Sequence, residues 1–230
     1  MLDISEKFKV EKILFGNEKA PLLIIDNYLK DPDVLIDMAC KQQFSADKGY
    51  YPGVRSPAPA EFLELFIEAL SEPVLSELDI PGSTLKVSMC HYSLVTKPAK
   101  ELHLLQRIPH FDSLDNNGLA MVYYLFKQPL GGTAFYRHKK TGFEYIDNSR
   151  TAEYFQSLEA ENGGPNMPGA EYINGDTPLF EQIASQQGIF NRMLIYRRNS
   201  LHSGCISPDF VPDPNPATGR LSINCFIDAI

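Results

Sequence analysis

Five strand-like segments dominate the second part of the chain and restrict it to a largely β architecture. They are TLKVSMCHYSLV (84–95), GLAMVYYLF (118–126), GGTAFYRHK (131–139), NRMLIYRR (191–198) and GRLSINCFI (219–227). Each is rich in β-branched and aromatic residues and is bounded by Gly, Pro, Asn or Asp, which is typical of strands between turns. We therefore expect an antiparallel β region from about residue 84 onwards.

The first 83 residues are expected to support this region with one strand and two helices. LLII within APLLIIDNYL (20–29) indicates a buried strand, and the Asp-Pro pair at 31–32 suits the start of a helix. EFLELFIEALSEPVLSEL (61–78) indicates a second helix, broken or kinked near Pro73. The stretch GYYPGVRSPAPA (49–60) between them is expected to be a loop.

The length of the chain suits a single domain. With 230 residues we expect one domain spanning 1–230, in which 1–83 supports a β core at 84–230. A long polar insert at about 147–190 interrupts this core and contains one predicted short helix, TPLFEQIASQQG (177–188). Segments of this kind are often lids or partner surfaces.

Composition narrows the function classes. The net charge is −8 and no basic stripe is present, which argues against a nucleic-acid partner. No apolar run approaches the roughly 20 residues that span a bilayer, and the charged N-terminus lacks the pattern of a signal peptide. We expect a cytoplasmic protein with no membrane partner.

The cysteines are expected to be free thiols. Cys40, Cys90, Cys205 and Cys225 are widely spaced and form no CxxC motif, so a structural zinc site is disfavoured.

A short histidine motif is the first chemical signal. In RIPHFDS (107–113), side chains at positions i and i+2 of an extended chain point to the same face, which places His110 beside Asp112. Among the five histidines, His202 is the best third ligand, because it follows a strand and is flanked by small residues in NSLHSGCI. Two histidines and one carboxylate leave open positions and suit non-haem Fe(II).

Arg220, on the last predicted strand, indicates a site for an anion. Arg220 and Ser222 lie two residues apart on a predicted strand, and an arginine fork beside a hydroxyl suits a carboxylate. A salt bridge between Arg220 and one of the chain's acidic side chains is the alternative.

The order of these features resembles a known enzyme family. H-x-D, YYL, GG, RMLIYRRNSLHSG and R-x-S follow one another over residues 84–228, as in the Fe(II)/2-oxoglutarate-dependent dioxygenases, in particular the prolyl-hydroxylase-like branch. The resemblance implies an α+β, mainly β fold: a double-stranded β-helix (jelly roll, cupin-like) core with supporting N-terminal helices. It also implies hydroxylation with Fe(II) as cofactor and 2-oxoglutarate as co-substrate.

The resemblance assigns roles to particular residues. The implied iron ligands are His110, Asp112 and His202. Arg220 would bind the distal carboxylate of 2-oxoglutarate, with Ser222 as a helper, and Tyr124 would hydrogen-bond the same carboxylate. Tyr92 would line the co-substrate pocket. Packing in the core is the alternative for both tyrosines, and no catalytic residue is expected beyond the metal ligands.

The substrate is the least constrained part of this prediction. A small molecule, an amino acid or a peptide would fit, and the candidate substrate residues are Arg55, Tyr51, Gln106 and Arg137. The chain departs from the family by a Pro-rich insertion between His202 and Arg220 and by having no tryptophan. Exposed aromatic residues in the insert offer a surface for a homodimer.

Three other functions remain open at this point. The chain could be a jelly-roll ligand-binding protein that has lost oxygenase activity. It could be a cupin-like metalloenzyme that needs no 2-oxoglutarate. It could also be an interaction protein that uses the 147–190 insert to bind a partner.

Overall fold

Two antiparallel β-sheets and three helices make up the computed structural model, which describes residues 2–46 and 49–230. The helices are α1 (Asp33–Ala39), α2 (Ala60–Leu78) and α3 (Thr151–Glu161). The strands are β1 (Lys9–Phe15), β2 (Ala20–Asp26), β3 (Ser45–Ala46), β4 (Gly53–Pro57), β5 (Leu85–Val95), β6 (Leu119–Tyr124), β7 (Gly132–His138), β8 (Phe180–Gln187), β9 (Arg192–Arg197), β10 (His202–Cys205) and β11 (Leu221–Ala229).

The larger sheet has eight strands in the order β1-β2-β9-β6-β11-β5-β4-β3. The smaller sheet has three, in the order β10-β7-β8. The neighbouring strands pair antiparallel throughout. The expected mainly β, antiparallel architecture is therefore confirmed, and the five predicted strands correspond to β5, β6, β7, β9 and β11.

The two faces of the larger sheet have different partners. On one face, residues such as Leu23, Met121 and Ile223 pack into an apolar core with α1 and α2, and we call this the helix-side face. On the other face, Phe135 of the smaller sheet contacts Phe15 and Tyr196, with ring centroids 4.3 and 5.0 Å apart. We call this second face the cavity-side face, because a cavity opens between the two sheets beside these contacts.

The 147–190 insert differs from its prediction. The segment 177–188 was expected to be helical, but most of it forms β8, which pairs with β7 and so completes the smaller sheet. Tertiary pairing overrides local helix propensity here. The helix of the insert is instead α3, at Thr151–Glu161, which carries few apolar residues and gives only a weak periodic signal.

One N-terminal expectation is also wrong. The predicted loop at 49–60 contains β4, which pairs with β5 inside the larger sheet. The second helix runs unbroken over Ala60–Leu78 with Pro73 inside it. In the described part of the chain, no helix has both the length and the apolar character needed to cross a membrane.

The cysteines are not all free thiols. β5 and β11 pair with Cys90 directly opposite Cys225, and the two form a disulfide. The sequence could not indicate this pairing, because 135 residues separate the two positions and only the strand register brings them together. Cys40 and Cys205 are free.

One buried carboxylate joins distant parts of the chain. The carboxylate of Glu144 accepts hydrogen bonds from the backbone N–H groups of Asn17 and Glu18 at 2.9 and 3.0 Å. It also accepts one from Nε of Arg137 at 2.8 Å. Glu144 therefore holds the β1–β2 turn against the smaller sheet.

We expect Glu144→Ala to lower the free energy of unfolding by about 3 kcal/mol, because it removes a buried carboxylate on which part-buried donors from three residues converge. Urea denaturation measures this loss. Glu181→Ala removes the other carboxylate bound to Arg137, at 2.6 Å, but that side chain is 44% exposed, so its loss should cost less than about 1 kcal/mol. Equal losses in the two variants would contradict the role given to Glu144.

Candidate metal centre

Backbone pairing brings His110 to His202 although they are 92 positions apart in the sequence. His202 begins β10, and the backbone N–H of each residue donates to the carbonyl of the other at 2.9 Å. The backbone N–H of Asp112 donates to the carbonyl of Arg198 at 2.7 Å, just after β9. Main-chain hydrogen bonds therefore position the loop that carries the H-x-D motif.

The three predicted ligands converge on one point. One potential ligand atom from each of His110, Asp112 and His202 lies within 4.8 Å of the other two. The Asp112 carboxylate lies 3.7 Å from Nε2 of His110 and 3.4 Å from Nε2 of His202, and the two imidazole centroids are 4.4 Å apart. Two imidazole nitrogens and one carboxylate are the donor set that suits Fe(II) with open positions.

The tautomer of His202 favours metal binding. Its Nδ1 lies 2.9 Å from the carbonyl oxygen of Ser200. Because a carbonyl only accepts hydrogen bonds, Nδ1 carries a proton, and in the neutral imidazole Nε2 is then the nitrogen that can bind a metal. A metal-binding histidine normally has its second nitrogen fixed in this way.

His110 is held in its neutral form. Half of its side chain, 51%, is accessible, but the residue lines the cavity between the sheets. Its pKa is lowered to about 4, first by burial in the surrounding protein and then by the neighbouring His202. A neutral imidazole is the form that binds a metal ion.

Arg220 lies inside the same cavity and is 5% exposed. Its Nε and Nη2 donate to the carbonyls of Leu130 and Gly132 at 2.9 and 2.8 Å. Gly131, between these two residues, has a φ of +89°, a conformation that favours glycine. The alternative, a salt bridge between Arg220 and an acidic side chain, is not found among the described residues.

Ser222 and Tyr124 accompany Arg220 on the cavity-side face. They are directly opposite each other in β11 and β6, and Ser222 lines the cavity. The Tyr124 hydroxyl is hydrogen-bonded to Thr133 at 2.7 Å. Burial raises the pKa of Tyr124 to about 12, against the opposing charge of Arg220, so its hydroxyl stays protonated.

Tyr92 does not reach the site. The strand register places it opposite Ile223, on the helix-side face, where its hydroxyl donates to the carbonyl of Leu35 at 2.9 Å. It packs in the apolar core with α1 and α2. The sequence placed Tyr92 in a strand, but its face depended on a register that only the structure shows.

The comparison with family models decides the membership of this chain. A model described as "Family of unknown function (DUF6445)" matches residues 6–227. The chain belongs to the DUF6445 family. No curated protein matches the DUF6445 chain in sequence.

Several solved structures are similar to this chain at low sequence identity. HygX from Streptomyces hygroscopicus, with nickel and 2-oxoglutarate bound, superposes with a TM-score of 0.50 and 15% identity over 96% of this chain and 82% of its own. SnoN, a non-haem alpha-ketoglutarate-dependent epimerase from nogalamycin biosynthesis, gives 0.48 and 11% over 92% and 79%. A Pseudomonas putida prolyl-4-hydroxylase gives 0.41 and 10% over 87% and 88%. The HygX likeness shows a common fold.

The four candidate substrate residues of the DUF6445 chain fall into two groups. Arg55, Tyr51 and Gln106 line the cavity, and the Arg55 guanidinium lies 4.3 Å from the centroid of the Tyr51 ring. Arg137 does not line it; its guanidinium is paired with Glu144 and Glu181 on the smaller sheet. We therefore leave Arg137 out of the proposed site.

Sequence reasoning missed the aromatic wall of the cavity. It is supplied by α3 through Tyr154, Phe155 and Leu158, and Phe111 of the H-x-D motif packs against it with ring centroids about 6 Å from Tyr154 and Phe155. The polar composition of the insert gave no signal for these contacts. Asn224, two positions beyond Ser222 on β11, also lines the cavity, and the period-two pattern of a strand could have indicated it.

Proposed function

We propose that this protein is a non-haem Fe(II)- and 2-oxoglutarate-dependent oxygenase with a double-stranded β-helix core, which hydroxylates a small molecule, an amino acid or a peptide. The proposal rests on one observation: the predicted metal ligands and the predicted co-substrate residues line the same cavity. The ligand set of His110, Asp112 and His202 lines the same cavity as Arg220 and Ser222. The shared fold with HygX is consistent with the proposal but does not establish activity.

The roles of the chain's own residues follow from their positions. His110, Asp112 and His202 would hold Fe(II), and Arg220 would bind the distal carboxylate of 2-oxoglutarate with Ser222 beside it. The protonated Tyr124 keeps Thr133 in place next to Arg220. When bound, iron and 2-oxoglutarate supply the oxidising chemistry, while the protein orients them and limits water. The prolyl-hydroxylase-like assignment, the cytoplasmic location and a homodimer stay predictions.

The proposal predicts that metal stabilises the protein. With Mn(II) or anaerobic Fe(II) at about 100 times the dissociation constant, ligand binding contributes about 2.7 kcal/mol. For a chain of this size that corresponds to a rise in Tm of roughly 5–10 °C. Differential scanning fluorimetry measures this rise, and 2-oxoglutarate added after the metal should raise Tm further.

Two controls make the thermal test specific. Mg(II), which prefers oxygen ligands, should give a much smaller rise at equal concentration. Succinate should raise Tm less than 2-oxoglutarate, because it lacks the 2-oxo group that joins the metal. A wild-type Tm that no divalent transition metal changes would refute the proposed metal centre.

A further inference from the structure

The cavity holds more than the proposed metal and co-substrate sites. Its volume is about 540 Å³, and beyond the residues already assigned it is lined mostly by apolar and aromatic side chains. Apolar cavities with a few placed polar groups are typical of small-molecule sites. The side chains that line the rest of the cavity therefore indicate the class of substrate that it can bind.

An apolar floor lies on the larger sheet, with its β11 residues four to six positions further along the chain than Arg220. Strand register places Phe226 of β11 between Met89 of β5 and Ala120 of β6. Two residues away on the same strands, Asn224 of β11 lies opposite Val122 of β6. All five residues line the cavity. Met89, Val122, Asn224 and Phe226 are only half-buried although they lie in the middle of the sheet. The floor is therefore open to a ligand.

Asn224 is the one polar residue of this floor. Its Oδ1 accepts a hydrogen bond from the Ser222 hydroxyl at 2.7 Å, and no acceptor contacts its Nδ2 in the described part of the chain. The amide N–H₂ group is thus left to donate to a ligand. In an apolar surround, a single donor selects ligands that carry a hydrogen-bond acceptor at the matching position.

The mouth of the cavity is apolar as well. Nine large apolar side chains are exposed among the described residues, and three of them, Tyr50, Leu105 and Phe155, line this cavity at 63%, 42% and 51% exposure. They come from three separate segments of the chain. Exposed apolar residues gathered around a cavity mark a binding site rather than ordinary surface.

The charged side chains among the described lining residues argue against a positively charged substrate. Among the described lining residues, the only carboxylate belongs to Asp112, which is assigned to the metal. An ammonium group, as in a free amino acid or an amino sugar, would therefore enter the cavity without a carboxylate to pair with. Burying an unpaired charge is strongly unfavourable.

We propose that the substrate is a ring-bearing small molecule without a cationic group, whose carbonyl or hydroxyl oxygen accepts a hydrogen bond from Asn224. The rings lie on the floor formed by Met89, Val122 and Phe226 and are enclosed at the mouth by Phe155. This proposal narrows the substrate class left open above, and calling the ligand a substrate rests on the proposed oxygenase function. The ligand site itself needs neither metal nor activity.

The test uses metal-free protein and a neutral fluorescent probe, 6-propionyl-2-dimethylaminonaphthalene, which has two fused rings and one ketone. We expect saturable binding with a blue-shifted emission. Asn224→Leu keeps the side-chain size and removes the donor, so it should weaken binding about tenfold. Phe226→Ala removes floor area and should weaken it at least as much, while circular dichroism confirms that both variants are folded.

Matched controls separate the cavity from other apolar surface. Leu14, on the edge strand β1, is 57% exposed and lies outside the cavity, so Leu14→Ala should leave probe affinity unchanged. The neutral ketone 2-tetralone should displace the probe, and free proline should not. Displacement by proline alone, absence of probe binding, or binding that neither cavity variant weakens would each overturn the inference.

The same protein samples separate this inference from the proposed function. Wild-type protein that binds the probe but no Fe(II) would retain the ligand site and refute the oxygenase. Wild-type protein that binds Fe(II) and 2-oxoglutarate but no neutral ring compound would retain the oxygenase and refute the substrate class.

Discussion

His202→Ala should lower the affinity for Fe(II) at least about 100-fold, beyond the 10- to 100-fold typical when only a supporting partner of a ligand is lost. The ring of His202 is held by the backbone pairing with His110 and by the hydrogen bond from Nδ1–H to the Ser200 carbonyl. Its Nε2 is therefore already oriented toward Asp112, at 3.4 Å. Replacing the ring removes a ligand that the fold positions in advance.

Anaerobic titration of the apo-protein with Fe(II), followed by desalting and metal analysis, measures this loss. Asp112→Ala should behave like His202→Ala, because it removes the one carboxylate of the set. His103→Ala is the matched control: that histidine is exposed, caps a short helical turn and does not line the cavity. If His202→Ala still retained one equivalent of Fe(II) after desalting, another set of ligands would have to hold the metal.

The sequence indicated His110, Asp112 and His202 as candidate ligands because each of them left a local signal. His110 and Asp112 are two residues apart, so an extended backbone places both on one face whatever the rest of the fold does. His202 follows a buried strand and precedes small residues. Arg220, directly before β11, and Ser222, on β11, show the same period of two. These signals depend on local geometry, which a single sequence carries.

The errors concern properties that depend on the pairing of distant strands. Tyr92 was placed on a strand correctly, but its face is set by the register of β5 against β11. The disulfide between Cys90 and Cys225 depends on that same register. Segment 177–188 became a strand because β7 offered a free edge. Register and edge pairing involve residues far apart in sequence, so local propensity cannot decide them.

The cavity wall was missed for a different reason. α3 carries few apolar residues, and Tyr154 is its one fully buried side chain. A helix with a single buried aromatic residue produces almost no periodic signal. Its contacts with Phe111 link this helix of the insert to the H-x-D loop, so α3 forms part of the cavity wall.

Arg220→Ala should weaken 2-oxoglutarate binding by about 3 kcal/mol, or roughly 150-fold, while leaving Fe(II) affinity nearly unchanged. A guanidinium has five N–H donors; two of them bind the carbonyls of Leu130 and Gly132, which leaves three for a ligand. The group is buried in the cavity wall, where a carboxylate would be desolvated and bound in bidentate form. Arg220→Lys keeps the charge without the planar fork and should give an intermediate loss.

A second arginine in the cavity, Arg55, provides the control for the Arg220 prediction. Arg55 also lines the cavity, but on β4, two strands away from β11, and its guanidinium lies over the Tyr51 ring. Arg55→Ala should therefore leave 2-oxoglutarate affinity within a fewfold of wild type. Anaerobic titration of the Fe(II)-loaded variants, followed by the visible absorption of the bound chelate, compares the two. A large loss in Arg55→Ala with none in Arg220→Ala would move the co-substrate to the part of the cavity beside β4. It would then place the substrate beside Arg220, because the two ligands cannot share one end of a cavity of about 540 Å³.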